Sequence, residues 1–170
     1  NGWRFSTANS SYYGNIGEEA VDLSWSFQGS STFGATGNFS YALGYRATAS
    51  NTATTAMGHT TTASGYSSTA MGFNTTASGS RSTAMGEWTT ASDYGSLSIG
   101  SYNSVNSSVT TGGSATAFNT ANAAFVIGNG TASNAKSDAF VVYFNGNATL
   151  AGDLTINSDA RLKENIRPLG

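Results

Sequence analysis

The sequence predicts an all-β chain, a parallel β-roll or β-solenoid wound in 14-residue coils. Three observations predict it. Glycines that follow a large apolar residue recur at a constant interval, at Gly44, Gly58, Gly72, Gly86 and Gly100, and Gly128 stands two periods further on. Inside each period two short runs keep their residue types while the patches between them vary. The fixed runs alternate with a period of two, as in Thr-Ala-Met-Gly, and are rich in β-branched Thr and in Gly and Ser, which disfavour helix. Two short strands and two turns therefore make one coil. Stacked coils lie ~4.8 Å apart, each strand pairing in parallel with its counterpart one coil on.

Composition alone is ambiguous. Charged residues are 9% of the 170, against roughly 25% in ordinary soluble domains. Such a text, full of Ser, Thr, Gly and Asn, also suits a disordered tract, but a tract of that kind has no reason to hold so strict a frame. A coiled coil is argued against as well, because no second apolar position recurs at heptad spacing and Gly and Thr form helix poorly. The net charge is −2 with no basic stripe, which gives nucleic acid nothing to bind. No apolar run approaches the ~18 residues of a membrane span, Ala123–Ile127 among them, so no membrane insertion is expected. There is no cysteine and a single histidine, His59, so no thiolate metal site, multi-histidine zinc site or cofactor is expected. The chain opens on Asn1 and is read as a piece of a longer protein.

The elements follow in order. Residues 1–38 are irregular and aromatic (Trp3, Phe5, Tyr12, Tyr13, Trp25, Phe27, Phe33) and read as an N-terminal cap or connector. Residues 39–134 are the repeat region. The residue before each repeat glycine is large and apolar (Leu43, Met57, Met71, Met85, Ile99), and these five are the expected core. The residue before that is small (Ala42, Ala56, Ala70, Ala84, Ser98). One large apolar side chain per coil cannot oppose ~1–2 kcal/mol of backbone entropy per ordered residue. The coils are therefore expected to bury a second face against identical coils of sister chains, with the Met, Leu, Ile and Ala faces meeting near an axis. Spacing leaves the number of chains open. Residues 135–157 form a strand neck, with Asn145-Gly146 as the hairpin turn. Residues 158–170 change to a charged text with the chain's single proline, Pro168, and read as a short C-terminal helical segment starting near Asp159.

Two resemblances are carried by particular residues. "STAMG" followed by "TTASG" resembles the head repeats of trimeric autotransporter adhesins, the YadA-like left-handed parallel β-roll. The resemblance covers Tyr41–Asn106 well and Ala117–Asn134 loosely, where "AFNTAN" echoes "GFNTTAS". It implies an obligate homotrimer; Met stands where the family usually has Ile or Val. "SDARLKENI" resembles the opening of the self-cleaving intramolecular chaperone of endosialidase-type phage tail spikes and tail fibres. That resemblance implies a catalytic dyad of Ser158 and Lys163 and a cut beside Ser158. Only twelve residues follow Ser158, where the family has a whole domain, so no processing of this chain is expected.

These readings imply a structural and adhesive segment of a trimeric fibre, extracellular, on a virion, a phage-like injection device or a cell surface. Its partners would be its own copies, other fibre or baseplate components, and a host glycan or protein receptor. Receptor contacts are expected at rings on the variable turns: Tyr45, His59, Tyr66, Phe73, Trp88, Tyr94 and Tyr102. The alternative is a polysaccharide-degrading tail spike, with an inter-subunit carboxylate site drawn from Glu18, Glu19, Asp22, Glu87 and Asp93. The Asn-rich turn Asn145–Asp153 lacks the acidic density of a Ca²⁺ loop, so no metal is expected.

Overall fold

A computed structural model describes residues 1–4 and 9–154. Two sheets run along a solenoid. The larger is built on the long strands Val21–Trp25, Tyr41–Tyr45, Thr55–His59, Thr69–Phe73, Thr83–Glu87 and Leu97–Ser101. The smaller is built on two-residue strands, Gly34–Ala35, Thr48–Ala49, Thr62–Ala63, Thr76–Ala77 and Thr90–Ala91. Pairing is parallel and in frame: Thr55, Ala56, Met57 and Gly58 lie against Thr69, Ala70, Met71 and Gly72, which lie in turn against Thr83, Ala84, Met85 and Gly86.

The two variable patches of each period form the corners. The second residue after each repeat glycine is left-handed, with φ of 52° at Arg46, 55° at Thr60, 52° at Asn74 and 52° at Trp88. The opposite corner turns on Ala53, Ser67 and Arg81 in the same way. Left-handed non-glycine residues cost ~1–2 kcal/mol each. They are held because the ladder continues round the bend: Thr60, Asn74 and Trp88 donate their N–H to the carbonyls of Tyr45, His59 and Phe73 one coil back. Repeat glycines are needed for a different reason. Gly58 and Gly72 have φ near +120°, and a Cβ at either would run into the carbonyl oxygen of the next glycine in the row.

The interior differs from the expected core. The side chains sealed between the sheets are alanines (Ala42, Ala56, Ala63, Ala70, Ala77, Ala84, Ala91) with Thr and Ser at the bends. Leu43, Met57 and Met71 instead stand outside the single chain, 42%, 37% and 37% exposed, and Met85 and Ile99 are half-buried beside them. The reason is the period of two: Ala56 and Met57 occupy opposite faces of one strand, and the narrow space between the sheets admits the methyl group. The alanine face is thus the chain's own core, and the large apolar row is left on its outer surface.

The solenoid starts upstream of the regular repeats. Val21–Trp25 pairs with Tyr41–Tyr45, Val21 opposite Tyr41, an offset longer than that of the repeats, and Trp3–Arg4 pairs with Val21 and Asp22. The strands described within residues 1–38 therefore continue the solenoid, with a longer corner before Tyr41 where the frame slips. At the other end, Leu97–Ser101 pairs directly with Ala123–Asn129, so the echo at Ala117–Asn122 is not a coil but part of an excursion between neighbouring strands. Asp138–Tyr143 and Ala148–Leu150 then continue the sheet as an antiparallel hairpin. Its turn has positive φ at Gly146 alone, a type I turn closed by a glycine bulge. The expected C-terminal helix, with Ser158 and Lys163, lies outside the described residues.

Candidate binding surface

The seven ring-bearing residues expected on turns fall into three environments, and three of them end strands instead. Tyr45, His59 and Phe73 are strand partners on the outer face of the long-strand sheet, beside the Leu43–Met57–Met71 row. Their rings follow one another at 4.8 and 4.9 Å. In the next coil Glu87 takes that place and the ring moves one residue on, to Trp88 at the left-handed corner. Trp88 stacks on Tyr102, 5.7 Å apart and 12° from parallel, and meets Phe73 edge-on at 6.4 Å. Trp25 and Phe27, which sequence reading does not select, extend the row past Tyr45. The frame slip before Tyr41 hides them.

Tyr66 and Tyr94 stand at the opposite corner. Between them lies Arg81, its guanidinium 5.6 Å from one ring centre and 5.2 Å from the other, donating to the Tyr94 hydroxyl at 2.9 Å. Each such contact is worth ~0.5–1 kcal/mol at an exposed site. Arg81 escapes sequence reading because it sits one residue out of phase with the two tyrosines.

A groove of about 340 Å³ opens along the outer face of the short-strand sheet. Its floor is the threonine ladder Thr62, Thr76 and Thr90. The corner residues Thr60 and Asn74 are small and Trp88 is large, so the step in size between successive coils makes a recess with an aromatic wall. Ser133 and Lys136, from the loop before the hairpin, close one end.

Two of the five candidate carboxylates are engaged inside the solenoid. Asp22 is fully buried, accepts from Arg4 Nε at 2.7 Å and pairs with its guanidinium, which also reaches the Gly14 carbonyl. Gly34 leaves room for this pair, since a Cβ there would strike the Asp22 carboxylate. Asp93 is also fully buried and accepts from Thr110 N–H at 2.8 Å, Thr110 Oγ1 at 2.6 Å and Ala123 N–H at 2.7 Å. It therefore clamps both ends of the 107–122 excursion. Asn103 caps the exposed edge of the short-strand sheet as a neighbouring peptide would. Its Oδ1 accepts from Thr90 N–H at 2.7 Å and its Nδ2 donates to the Thr90 carbonyl at 2.9 Å. The signal for the clamp is present in the text: Asp93 interrupts the glycine series Gly65, Gly79. Glu18, Glu19 and Glu87 are exposed, and among the described residues no group of three metal-ligating side chains occurs.

The family model described as the YadA head domain repeat (2 copies) matches residues 35–61, 49–75, 63–86 and 77–103. Successive matches begin one coil apart. Residues 35–103, less than half of the chain, are thus similar to YadA head repeats. The matched region coincides with the most regular coils, from Gly34–Ala35 to Leu97–Ser101. No curated protein and no solved structure matches the chain. A β-solenoid with YadA-like head repeats fits a structural, adhesin-type segment.

Proposed function

We propose that this chain is a structural and adhesive segment of a homotrimeric surface fibre, with receptor-binding residues on its coil corners. The observation that carries the reading is the outer face of the long-strand sheet. Leu23, Leu43, Met57 and Met71 form one apolar row there, continued in register by Met85, Ile99 and Ile127. A row that long on a solenoid whose own interior is alanine is an interaction surface, and a second and third copy supply a matching face. The YadA-like head repeats support an extracellular, surface-exposed location.

The resemblance of "SDARLKENI" to the endosialidase-type chaperone favours a tail-fibre or injection-device fibre, joined to other fibre or baseplate components. A longer form of the protein carrying a whole chaperone domain after Ser158 is expected to be cut beside Ser158. Ser158→Ala or Lys163→Ala would abolish the cut, as read by intact mass.

Gel filtration with light scattering tests the reading. The expected mass is three times the 17.4 kDa of one chain, and a folded 17.4 kDa monomer contradicts it.

A further inference from the structure

We propose that the groove on the short-strand sheet is a saccharide site selective for sugars that carry a carboxylate. The inference deepens the adhesive reading above and rests on it. The floor of the groove lies on the sheet opposite the apolar row, away from the face proposed to meet sister chains. Its volume is within the ~300–1,000 Å³ of small-ligand sites. The lining has the chemistry of sugar recognition. Hydroxyls of Thr60, Thr62, Thr76 and Thr90 and the amide of Asn74 both donate and accept. They repeat at the coil spacing of ~4.8 Å, close to the length of one pyranose unit in an extended chain. Trp88 and Tyr102, stacked on one another, both line the groove and supply an aromatic wall against which the apolar face of a sugar ring can lie.

Charge selects the class of sugar. Lys136 is the one charged side chain lining the groove, no carboxylate lines it, and among the described residues Lys136 makes no ion pair. A bound carboxylate would gain a charge-assisted hydrogen bond there, at the end of a hydroxyl-rich track. Glu87, adjacent to Trp88 in sequence, stands on the other sheet and does not line the groove.

The test titrates the full chain by calorimetry with galacturonate oligomers, sialic acid oligomers, neutral cello- and laminari-oligosaccharides, and inorganic phosphate. At least one carboxylated series is expected to bind, and which one distinguishes a uronate from a sialate source. Lys136→Gln and Trp88→Asn are each expected to weaken that binding about tenfold. Asn keeps the left-handed corner at position 88 unstrained. Thr76→Tyr, which fills the groove from a strand position, is expected to block binding, whereas Tyr66→Ser at the opposite corner leaves it unchanged. Far-UV circular dichroism confirms that each variant retains its β structure. The proposal is overturned if no carboxylated oligomer binds, if neutral oligomers bind equally well, if phosphate competes as effectively, or if Lys136→Gln has no effect. A trimer that fails to bind sugar rejects the groove alone, whereas a monomer rejects the fibre reading beneath it.

Discussion

Replacing Gly72 by alanine separates the two reasons for the glycine row. Gly72 has φ of 120°, a conformation essentially reserved for glycine, which costs a Cβ-bearing residue ~1–3 kcal/mol. Its new Cβ would also strike the carbonyl oxygen of Gly86, so the coils must part locally. Parting them weakens the ladder on both sides of the site, at ~1 kcal/mol for each hydrogen bond lost. The sum is on the order of 3–5 kcal/mol, at the severe end for a single substitution. Gly146 is the internal control. It too has positive φ, 86°, but a Cβ there meets nothing within 4 Å. Gly146→Ala therefore carries the backbone penalty without the collision, roughly 1 kcal/mol. Urea unfolding followed by circular dichroism, at one fixed protein concentration because association contributes to stability, gives both values. If the two variants unfold within about 0.5 kcal/mol of each other, the close approach of successive coils is not what the glycines serve.

Further outcomes follow from the clamps and caps. Asp93→Ala is expected to release the 107–122 excursion, with a loss of roughly 3 kcal/mol as the hydrogen bonds to a buried carboxylate disappear. Faster amide exchange at Thr110 and Ala123, with the Thr55–His59 coil unchanged, would show it. Asp22→Ala leaves the Arg4 guanidinium without its partner and is expected to cost ~3 kcal/mol locally. Trypsin should then cut after Arg4 faster than in the parent chain. Asn103→Ala uncaps the short-strand sheet at Thr90, at about 1–2 kcal/mol, read as increased exchange of the Thr90 amide.

The coil, its length, its parallel register and the hairpin at Gly146 are legible in the sequence because each is set by a local rule repeated in frame. The evenly spaced glycines fix where the backbone must approach its neighbour, and the alternation Thr-Ala-Met-Gly fixes which residues share a face. Which face is inside is less legible. Alternation divides Ala56 from Met57 but does not say which of them the gap between two sheets admits, and hydrophobicity alone favours Met. Burial goes to the smaller side chain because the sheets lie too close for the larger. The ends are obscured where the frame slips: the longer step from Val21 to Tyr41 hides a coil and the rings of Trp25 and Phe27. The echo "AFNTAN" suggests a coil that the Asp93 clamp instead draws out into a loop. For the candidate site, the aromatic positions are visible as variable corner residues. The groove is not, since its floor, wall and end come from Thr62, Trp88 and Lys136, which only stacking and the returning loop bring together.

The apolar outer row as the meeting place of chains is tested most directly by a single cysteine in this cysteine-free sequence. Met71→Cys stands on that row, and Tyr66→Cys stands at the opposite corner. On mild oxidation at low protein concentration, Met71→Cys should form disulfide-linked pairs of chains and Tyr66→Cys should not. Cross-linking at Tyr66→Cys with none at Met71→Cys would contradict the account.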